Sequence, residues 1–396
     1  MIPSVNQDPR KGAGIPMDLE TKLALLTQAA IWEPAEETDP SGRARTRLME
    51  CIYEARAHGR PVRLLKVLLT SACERDCYYC PFRAGRSFRR ATFQPDELAR
   101  VFYGMHQRGL VDGLFLSSGI LGGGVRTQDR LLAVAGLLRQ RYGYRGYLHL
   151  KLMPGAEPDQ VREAMRWADR VSINLEAPNP ERLSRLAPHK AFMAELEGPL
   201  RTAGRIRREE PSAIAWSGRW PSLTTQLVVG AAGESDREIM ETTARLHREI
   251  GLARVYYSPF HPVPDTPLED LPPTLPLRAR RLYQAEWLLR VYGFRFEELP
   301  FDEIGNLPLA EDPKQAWARR ALADRPVEIN RASYEELVRV PGIGPKTARA
   351  ILQARREGRL TRLEGLEALG VSVARAAPFI TLNGRRLPQT LPLPLG

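Results

Sequence analysis

Residues Arg63 to Pro81 read RLLKVLLTSACERDCYYCP. The opening Arg63 to Thr70 is a short apolar run suited to a buried strand. The rest places Cys73, Cys77 and Cys80 in the loop directly after that strand, spaced Cys-x3-Cys-x2-Cys. Thiolates in this pattern can each hold one iron of a four-iron cluster, leaving the fourth iron open to a small molecule. A structural zinc site, with Cys51 or a histidine as fourth ligand, is the alternative. Zinc ligands usually come as two pairs, and Cys51 is the chain's only other cysteine. Cys51, in a helical stretch, reads as a small buried hydrophobe.

Outward from this stretch, strand-like and helical segments alternate. Gly113 to Ser118 (GLFLSS), Tyr147 to Met153 (YLHLKLM), Arg170 to Glu176 (RVSINLE), Leu223 to Val229 (LTTQLVV) and Arg254 to Phe260 (RVYYSPF) read as strands. Helical periodicity covers Gln94 to Arg108, Arg130 to Tyr142, Pro158 to Ala168, Ala191 to Arg208 and Glu234 to Ile250. Six strands alternating with helices predict an α/β fold with a parallel sheet. Winding in one sense makes it a partial (β/α)6 TIM-like barrel. Several strands are near-continuous apolar runs, as expected of strands buried on both faces. Functional groups then belong at the carboxyl ends of strands, where Cys73, Gly119, Glu176, Gly230 and Ser258 fall. Gly122-Gly123-Gly124 lacks the spacing and lysine of a phosphate loop and reads as a flexible loop over the barrel mouth.

The flanks are different. Asp18 to Ile31 reads as a helix capped by Asp18, Glu33 to Gly42 as a loop, and Arg43 to His58 as a second helix ended by Gly59. Pro259 to Pro276 is proline-rich, and helices are expected over Arg278 to Tyr292 and Pro313 to Leu322. The parsing is therefore a helical extension over residues 1–60, the barrel over 61–276, a helical connector over 277–325, and a small all-α module with a Pro- and Leu-rich tail over 326–396. No run approaches the ~20 apolar residues of a membrane span, and Met1 to Lys11 lacks a secretory pattern. A soluble, cytoplasmic protein is expected. The net charge is +11, and residues 325–396 hold 12 Lys/Arg against 6 Asp/Glu. Such an excess favours polyanionic partners.

The basic module has its own pattern. Val327 to Arg355 reads VEINRASYEELVRVPGIGPKTARAILQAR. Ser333 and Glu336 form a capping box. Pro341 to Lys346 (PGIGPK) makes a tight turn, and Thr347 to Arg356 a second helix. Turn amides and a helix N-terminus form a local anion site, to which Lys346 adds charge. Leu363 to Leu369, then Gly370, reads as a second, divergent helical pair.

Two resemblances follow from these residues. The cysteine triplet, with Tyr79 before its last member, resembles the signature of the radical S-adenosylmethionine superfamily. That resemblance implies a [4Fe-4S] cluster on Cys73, Cys77 and Cys80, with S-adenosylmethionine chelating the open iron. It implies an external one-electron donor, and cleavage of S-adenosylmethionine to a 5′-deoxyadenosyl radical. It implies cofactor contacts from Ser117, Ser118 and Gly119, where the usual acidic residue is missing. Asn174 and Glu176 would reach ribose, with an arginine ion pair the alternative for Glu176. Gly230 and Gly233 would pack on adenine, or form an ordinary strand–helix turn with Glu234. Ser258, with Tyr257, Pro259 and Phe260, would line the adenine or substrate pocket. The PGIG turn and its helices resemble a helix-hairpin-helix motif. That resemblance implies DNA backbone contacts of low sequence specificity from Gly342, Ile343, Gly344, Lys346, Thr347 and Arg349. A protein-interaction hairpin is the alternative.

The two modules in this order, with FLSSGI, INLEAP, YYSPFHPVP and DPKQAWA, resemble a family described as DNA modification or repair radical S-adenosylmethionine proteins. The expected activity is radical chemistry on DNA, with a base flipped or distorted to reach the barrel. Arg83 to Arg90 (RAGRSFRR) would hold phosphate near the mouth, or form a solvated basic loop. An RNA-modifying enzyme and a non-enzymatic nucleic-acid-binding iron–sulfur protein are the alternatives.

Overall fold

The structure, a computed structural model, describes residues 17–30, 52–57 and 60–387. Cys51, the Glu33–Gly42 loop, the start of the Arg43–His58 segment and the last nine residues lie outside the described residues. The chain forms two compact units. The first runs to Leu175 and adds Ala187–Gln226 and Val263–Glu269. The second takes Glu176–Leu186, Leu227–Pro262 and the chain from Asp270 onward.

Helix α1 (Leu19–Ala29) is capped by Asp18, whose carboxylate accepts from the Thr21 amide at 2.8 Å. Strands β1 (Ile52–Ala57) and β2 (Arg60–Leu68) follow. The alternation then runs α2 (Pro95–Gln107), β3 (Gly113–Ser117), α3 (Gly124–Gly136), β4 (Tyr147–Lys151), α4 (Pro158–Trp167), β5 (Arg170–Glu176), α5 (Pro180–Leu186), α6 (Gly198–Glu209), β6 (Ser222–Val229), α7 (Asp236–Ile250) and β7 (Arg254–Pro259). The strands make one seven-stranded sheet in sequential order from β1 to β7. Strands β2 to β5 pair in parallel. Sequential order with crossovers of one hand places successive helices on the same side, whereas a doubly wound sheet reverses its order at a switch point. The expected partial (β/α) barrel is therefore the observed arrangement.

Three details differ from expectation. Residues 52–57, read as part of a helix, form a strand antiparallel to β2, with Ile52 opposite Leu65 and Glu54 opposite Arg63. The segment's Ala, Arg and Glu residues suit a helix locally, but pairing with the open edge of β2 prevails. Helix α3 begins at Gly124, six residues before the expected Arg130, so only Gly122 and Gly123 of the glycine triplet lie outside it. Gly124 packs so closely on the Pro154 carbonyl oxygen that a Cβ there would stand 1.9 Å from it, so the position requires glycine. Helix α5 lies in a stretch the periodicity left unassigned.

The sheet's faces correct a further expectation. Leu65, Val67, Leu114, Leu116, Leu148, Leu150, Val171 and Ile173 alternate with a second set and are almost wholly buried. The second set is buried too, and among Leu64, Leu68 and Phe115 it carries the polar Lys66, His149, Lys151, Ser172, Thr224 and Gln226. Cross-strand contacts put these on one face. The Lys66 ammonium lies 5.9 Å from the Phe115 ring, which packs on His149 at 4.3 Å. The His149 Nε2 bonds Ser172 Oγ at 2.8 Å, and Arg170 Nε donates to Ser222 Oγ at 3.0 Å, carrying the face to β6. The strands are thus buried on both faces, but the polar residues are concentrated on one of them.

In the second unit, α8 (Pro276–Val291) and α9 (Pro313–Ala321) occupy the expected helical segments. Beyond them lie β8 (Val327–Glu328), α10 (Tyr334–Arg339), α11 (Pro345–Glu357), α12 (Leu363–Ala368), α13 (Val373–Ala376), β9 (Ile380–Leu382) and β10 (Arg385–Arg386). The expected all-α module is amended by this small sheet, ordered β10-β9-β8. Asn383, with φ 56°, and Gly384 supply the left-handed turn that lets the chain fold back as β10. The helices pack around Ile329, Leu337, Val340, Ile343, Ile351 and Leu366.

The two faces predict opposite mutational responses. Leu114→Ala, on the apolar face, should cost about 2–5 kcal/mol in urea unfolding. Thr224→Val, which removes a buried hydroxyl that lacks a partner among the described residues, should be neutral or stabilising. A clear loss of stability in Thr224→Val would contradict the reading of the polar face.

Candidate functional site

The cysteine loop leaves β2 and is held from two sides. Arg90 is its internal clamp. Its guanidinium donates to the carbonyls of Ser71 and Phe82 at 3.1 Å, of Arg83 at 3.0 Å and of Arg86 at 3.1 Å, and it stacks 4.1 Å over Phe88. Thus Arg90, from the segment read as a phosphate holder or solvated loop, is structural. Arg86 likewise donates to the carbonyls of Pro81 and Pro264. On the other side, the Glu74 carboxylate accepts from the amides of Gly122 and Gly123 at 2.9 and 3.0 Å. The glycine segment is therefore tied to the cysteine loop, which corrects its reading as a flexible flap.

The residues after β3 join the same assembly. The Gly119 amide donates to Thr70 O at 2.7 Å, and the Glu74 amide to Ile120 O at 2.8 Å. The Ile120 amide points at Cys73 Sγ, 3.5 Å away. A Cβ on Gly119 would lie 2.4 Å from Ala72 O, so the close approach requires glycine. Ser117 is buried, and Ser118 Oγ donates to Gly119 O at 2.6 Å. Tyr79 and Asn174 are half-buried. Within the first unit, then, the structure brings the cysteine loop and Ser117–Gly119 together, and strand alternation puts Asn174 on the polar face with Ser172.

The donor set fits a cluster. Cys77 is buried, and Cys73 and Cys80 are half-buried. Burial pushes the Cys80 thiol up, and the neighbouring Cys77 and Cys73 push it further. The Cys80 thiol in this setting ionises only opposite positive charge, which a metal supplies. Among the described residues no three His, Cys, Asp or Glu side chains converge on a single-ion site.

The polar face adds residues that the sequence reading missed. His149 Nδ1, Thr224 Oγ1 and Gln226 Oε1 are buried without a hydrogen-bond partner among the described residues. A buried polar atom left unmatched costs roughly 1–3 kcal/mol, so several together suggest a surface made for something else to complete. The signal lay in the strands: Lys66 in RLLKVLL, His149 and Lys151 in YLHLK, Ser172 and Asn174 in RVSINLE. Burial, then the charges of Arg170, Lys151 and Lys66, hold His149 well below the ordinary imidazole range. It is neutral in the folded protein at physiological pH.

In the second unit, Glu176 is buried and ends β5 with φ 65°, a left-handed conformation rare outside glycine. Gly230 has φ 97°, and Gly233 φ 69°. The Glu234 carboxylate accepts from the amides of Gly230 and Ala232, while Arg182 and Arg185 donate to Ala232 O at 3.3 Å. Ser258 is half-buried. Its neighbour Tyr257 is core: the hydroxyl meets Thr243 Oγ1 at 3.0 Å, and the amide donates to Tyr283.

The hairpin turn has Gly342 at φ 83°, where a Cβ would stand 2.5 Å from Ser372 O. The two helical pairs brace one another: the Ser372 amide donates to Gly342 O at 3.0 Å, and Thr347 Oγ1 to Gly370 O at 3.3 Å. Ile343 is buried, Gly344 precedes α11 as its cap, and Lys346 and Arg349 are exposed.

Comparison with known proteins matches the hairpin turn and its helices. Residues 325–354 match the family model described as helix-hairpin-helix motif. No curated protein matches the chain. Among solved structures, the chain is similar to HydG, a maturase of the [FeFe]-hydrogenase, with TM-score 0.43 and 11% identity over 56% of this chain and 48% of that one. It is similar to methylornithine synthase (PylB), with TM-score 0.43 and 14% identity over 59% and 63%. It is also similar to a radical SAM methyltransferase from Sphaerobacter thermophilus, with TM-score 0.41 and 18% identity over 59% and 65%. The chain thus spans about half of HydG and under two thirds of PylB. No described helix is long and apolar enough to cross a membrane.

His149 makes acid stability testable. The unfolded chain takes up a proton near pH 6.5, while folded His149 resists it. Its contribution is present above pH 6.5 and is lost as pH falls below, with a slope of at most about 1.4 kcal/mol per pH unit. Urea unfolding of His149→Gln should show a shallower loss between roughly pH 6.5 and 4.5 than the parent. Equal slopes would mean that the imidazole is protonated in the folded state.

Proposed function

We propose that this chain is a radical S-adenosylmethionine enzyme that works on nucleic acid, in the first instance DNA, in repair or modification. The observation that carries the reading is the juxtaposition, within one unit, of three thiols after β2 and a buried sheet face with unmatched polar atoms. Residues 61–276 would form the catalytic barrel, 326–396 the hairpin domain and tail, with 1–60 as an extension and 277–325 as a connector. A cytoplasmic location with an external electron donor fits this chemistry.

Cys73, Cys77 and Cys80 would hold a [4Fe-4S] cluster. Ser117, Ser118, Gly119, Tyr79 and Asn174 would contact S-adenosylmethionine, as would Glu176, Gly230, Gly233 and Ser258. Bound there, the two cofactors would supply one-electron carbon–sulfur cleavage and hydrogen abstraction. The chain's own residues do the rest. Arg90 and Glu74 keep the loop in one conformation, so little reorganisation is needed when it is loaded. Neutral His149, held by Ser172, can donate or accept a hydrogen bond without carrying charge into the interior. Lys66 and Lys151 place positive charge on the face, which suits an anionic substrate.

The hairpin would retain the polymer through its backbone. Gly342, Ile343, Gly344 and Thr347 shape the turn, while Lys346 and Arg349 supply exposed positive charge. The match over 325–354 supports nucleic-acid binding. The excess of 12 basic over 6 acidic residues from 325 to 396 supports a polyanion over a protein partner.

Anaerobic, reconstituted protein with a reductant is expected to release 5′-deoxyadenosine from S-adenosylmethionine. Cys77→Ala should lose both the brown chromophore and that release. Mass spectrometry of nucleosides from treated DNA should reveal a shifted species; a shift only in RNA would move the substrate, and iron retained by Cys77→Ala would contradict the ligand set. Lys346→Glu with Arg349→Glu should weaken DNA binding and lower the salt slope by about one to two.

A further inference from the structure

The second unit holds a cavity of about 380 Å3 bounded by α8, α9 and the hairpin turn. That volume falls in the range of ligand pockets, roughly 300–1,000 Å3. It lies mostly outside the matched hairpin residues, sharing with them only Gly342, Ile343 and Gly344, and the barrel chemistry does not use it.

The cavity is electropositive after its internal pairs are counted. Its lining carries Arg254, Arg280, Arg290, Lys314 and Arg375 against Glu286 and Asp312. Both carboxylates are committed to the fold. Glu286 accepts from His247 Nε2 at 3.0 Å and from the Val255 amide at 3.2 Å. Asp312 caps α9 through the Gln315 amide and pairs with Arg375. Lys314 is the telling residue. It is 8% exposed, and its one hydrogen bond among the described residues runs to Ile343 O at 2.6 Å, in the hairpin turn. An ammonium has three donors and no acceptor. Burial pulls its pKa down to about 7, and a buried charge so placed is stabilised by an anion beside it.

The cavity also has an aromatic wall. Tyr283 and Trp287 are four residues apart on α8 and share a helix face with Arg280 and Arg290. Trp287 is 45% exposed, unusual for so large an aromatic, and Tyr292 lies under the Lys314 ammonium at 4.5 Å. A plain phosphate site has no use for an exposed indole. An apolar ligand has no use for several cations. A flat ring joined to an anion uses both.

We propose that this cavity binds a single nucleotide unit, with its phosphate on Lys314, Arg375 and the Gly342–Gly344 turn and its base stacked on Trp287. The unit is a free nucleotide or an unpaired nucleotide of a bound strand; only the second source rests on the nucleic-acid reading above.

The test uses the full chain in calorimetric titrations with thymidine 5′-monophosphate, thymidine and inorganic phosphate. The monophosphate should bind about ten-fold or more tightly than either fragment. Trp287→Ala should bring it to the affinity of phosphate without altering the binding of phosphate or of blunt duplex DNA. Lys314→Met should weaken monophosphate and phosphate together. Because Lys314 also holds Ile343, exposed Arg280→Gln, which removes one of the cations that make the cavity electropositive, serves as a second variant, expected to weaken both ligands with an unchanged melting temperature. A monophosphate that binds no better than phosphate, or whose affinity is indifferent to Trp287→Ala, overturns the proposal.

A duplex with one unpaired 5′ thymidine identifies the source. Trp287-dependent gain over the blunt duplex assigns the site to a strand; no gain, with free monophosphate still bound, assigns it to a free nucleotide. Failure of all DNA binding with Trp287-dependent monophosphate binding would remove the DNA reading and leave the pocket standing.

Discussion

A β-strand sends successive side chains to opposite faces, and in the first unit both faces are buried. One face is filled by Leu, Val and Ile, which supply the burial energy. The other carries Lys66, His149, Lys151, Ser172, Thr224 and Gln226. Moving any strand by one residue would exchange these sets, placing lysines against helices and leucines on the polar face. The register from Lys66 through Phe115 and His149 to Arg170 is therefore held by the cost of every alternative. The polar face survives because the apolar face leaves it no other register.

The cysteine loop depends on the same sheet. It begins where β2 ends and is closed by contacts from the chain after β3, beside which β2 runs in register. Arg90 ties four carbonyls of the loop, and Glu74 ties the glycine segment ahead of α3. Charged side chains here do structural work on backbone groups, so the thiols are presented without the loop needing a hydrophobic core of its own. Gly119 and Gly124 show how tight the packing is, since a single Cβ at either would meet a carbonyl oxygen.

In the second unit the same economy recurs. Lys314 reaches from α9 to the carbonyl of Ile343, and Ser372 to that of Gly342, so the hairpin turn is shaped from outside the motif. Turn glycines and caps specify the local bend. The orientation of the turn's carbonyls is set by residues far away in sequence.

Much was legible in the sequence, because it was local. Alternating strands and helices, the cysteine spacing, the Asp18 cap, the Ser333–Glu336 box and the PGIG turn are each written within a dozen residues, and the observed elements follow them. What tertiary structure decided was everything that depends on pairing between distant segments. Residues 52–57 became a strand because β2 had an open edge, against their local helix propensity. Position 124 had to be glycine because Pro154 packs against it. The polar residues of separate strands became one face only through register, which no single stretch encodes. Lys314, an unremarked lysine within DPKQAWA, became a buried cation only when α9 met the hairpin. Local chemistry determined which elements form; long-range contacts determined which side chains share a site.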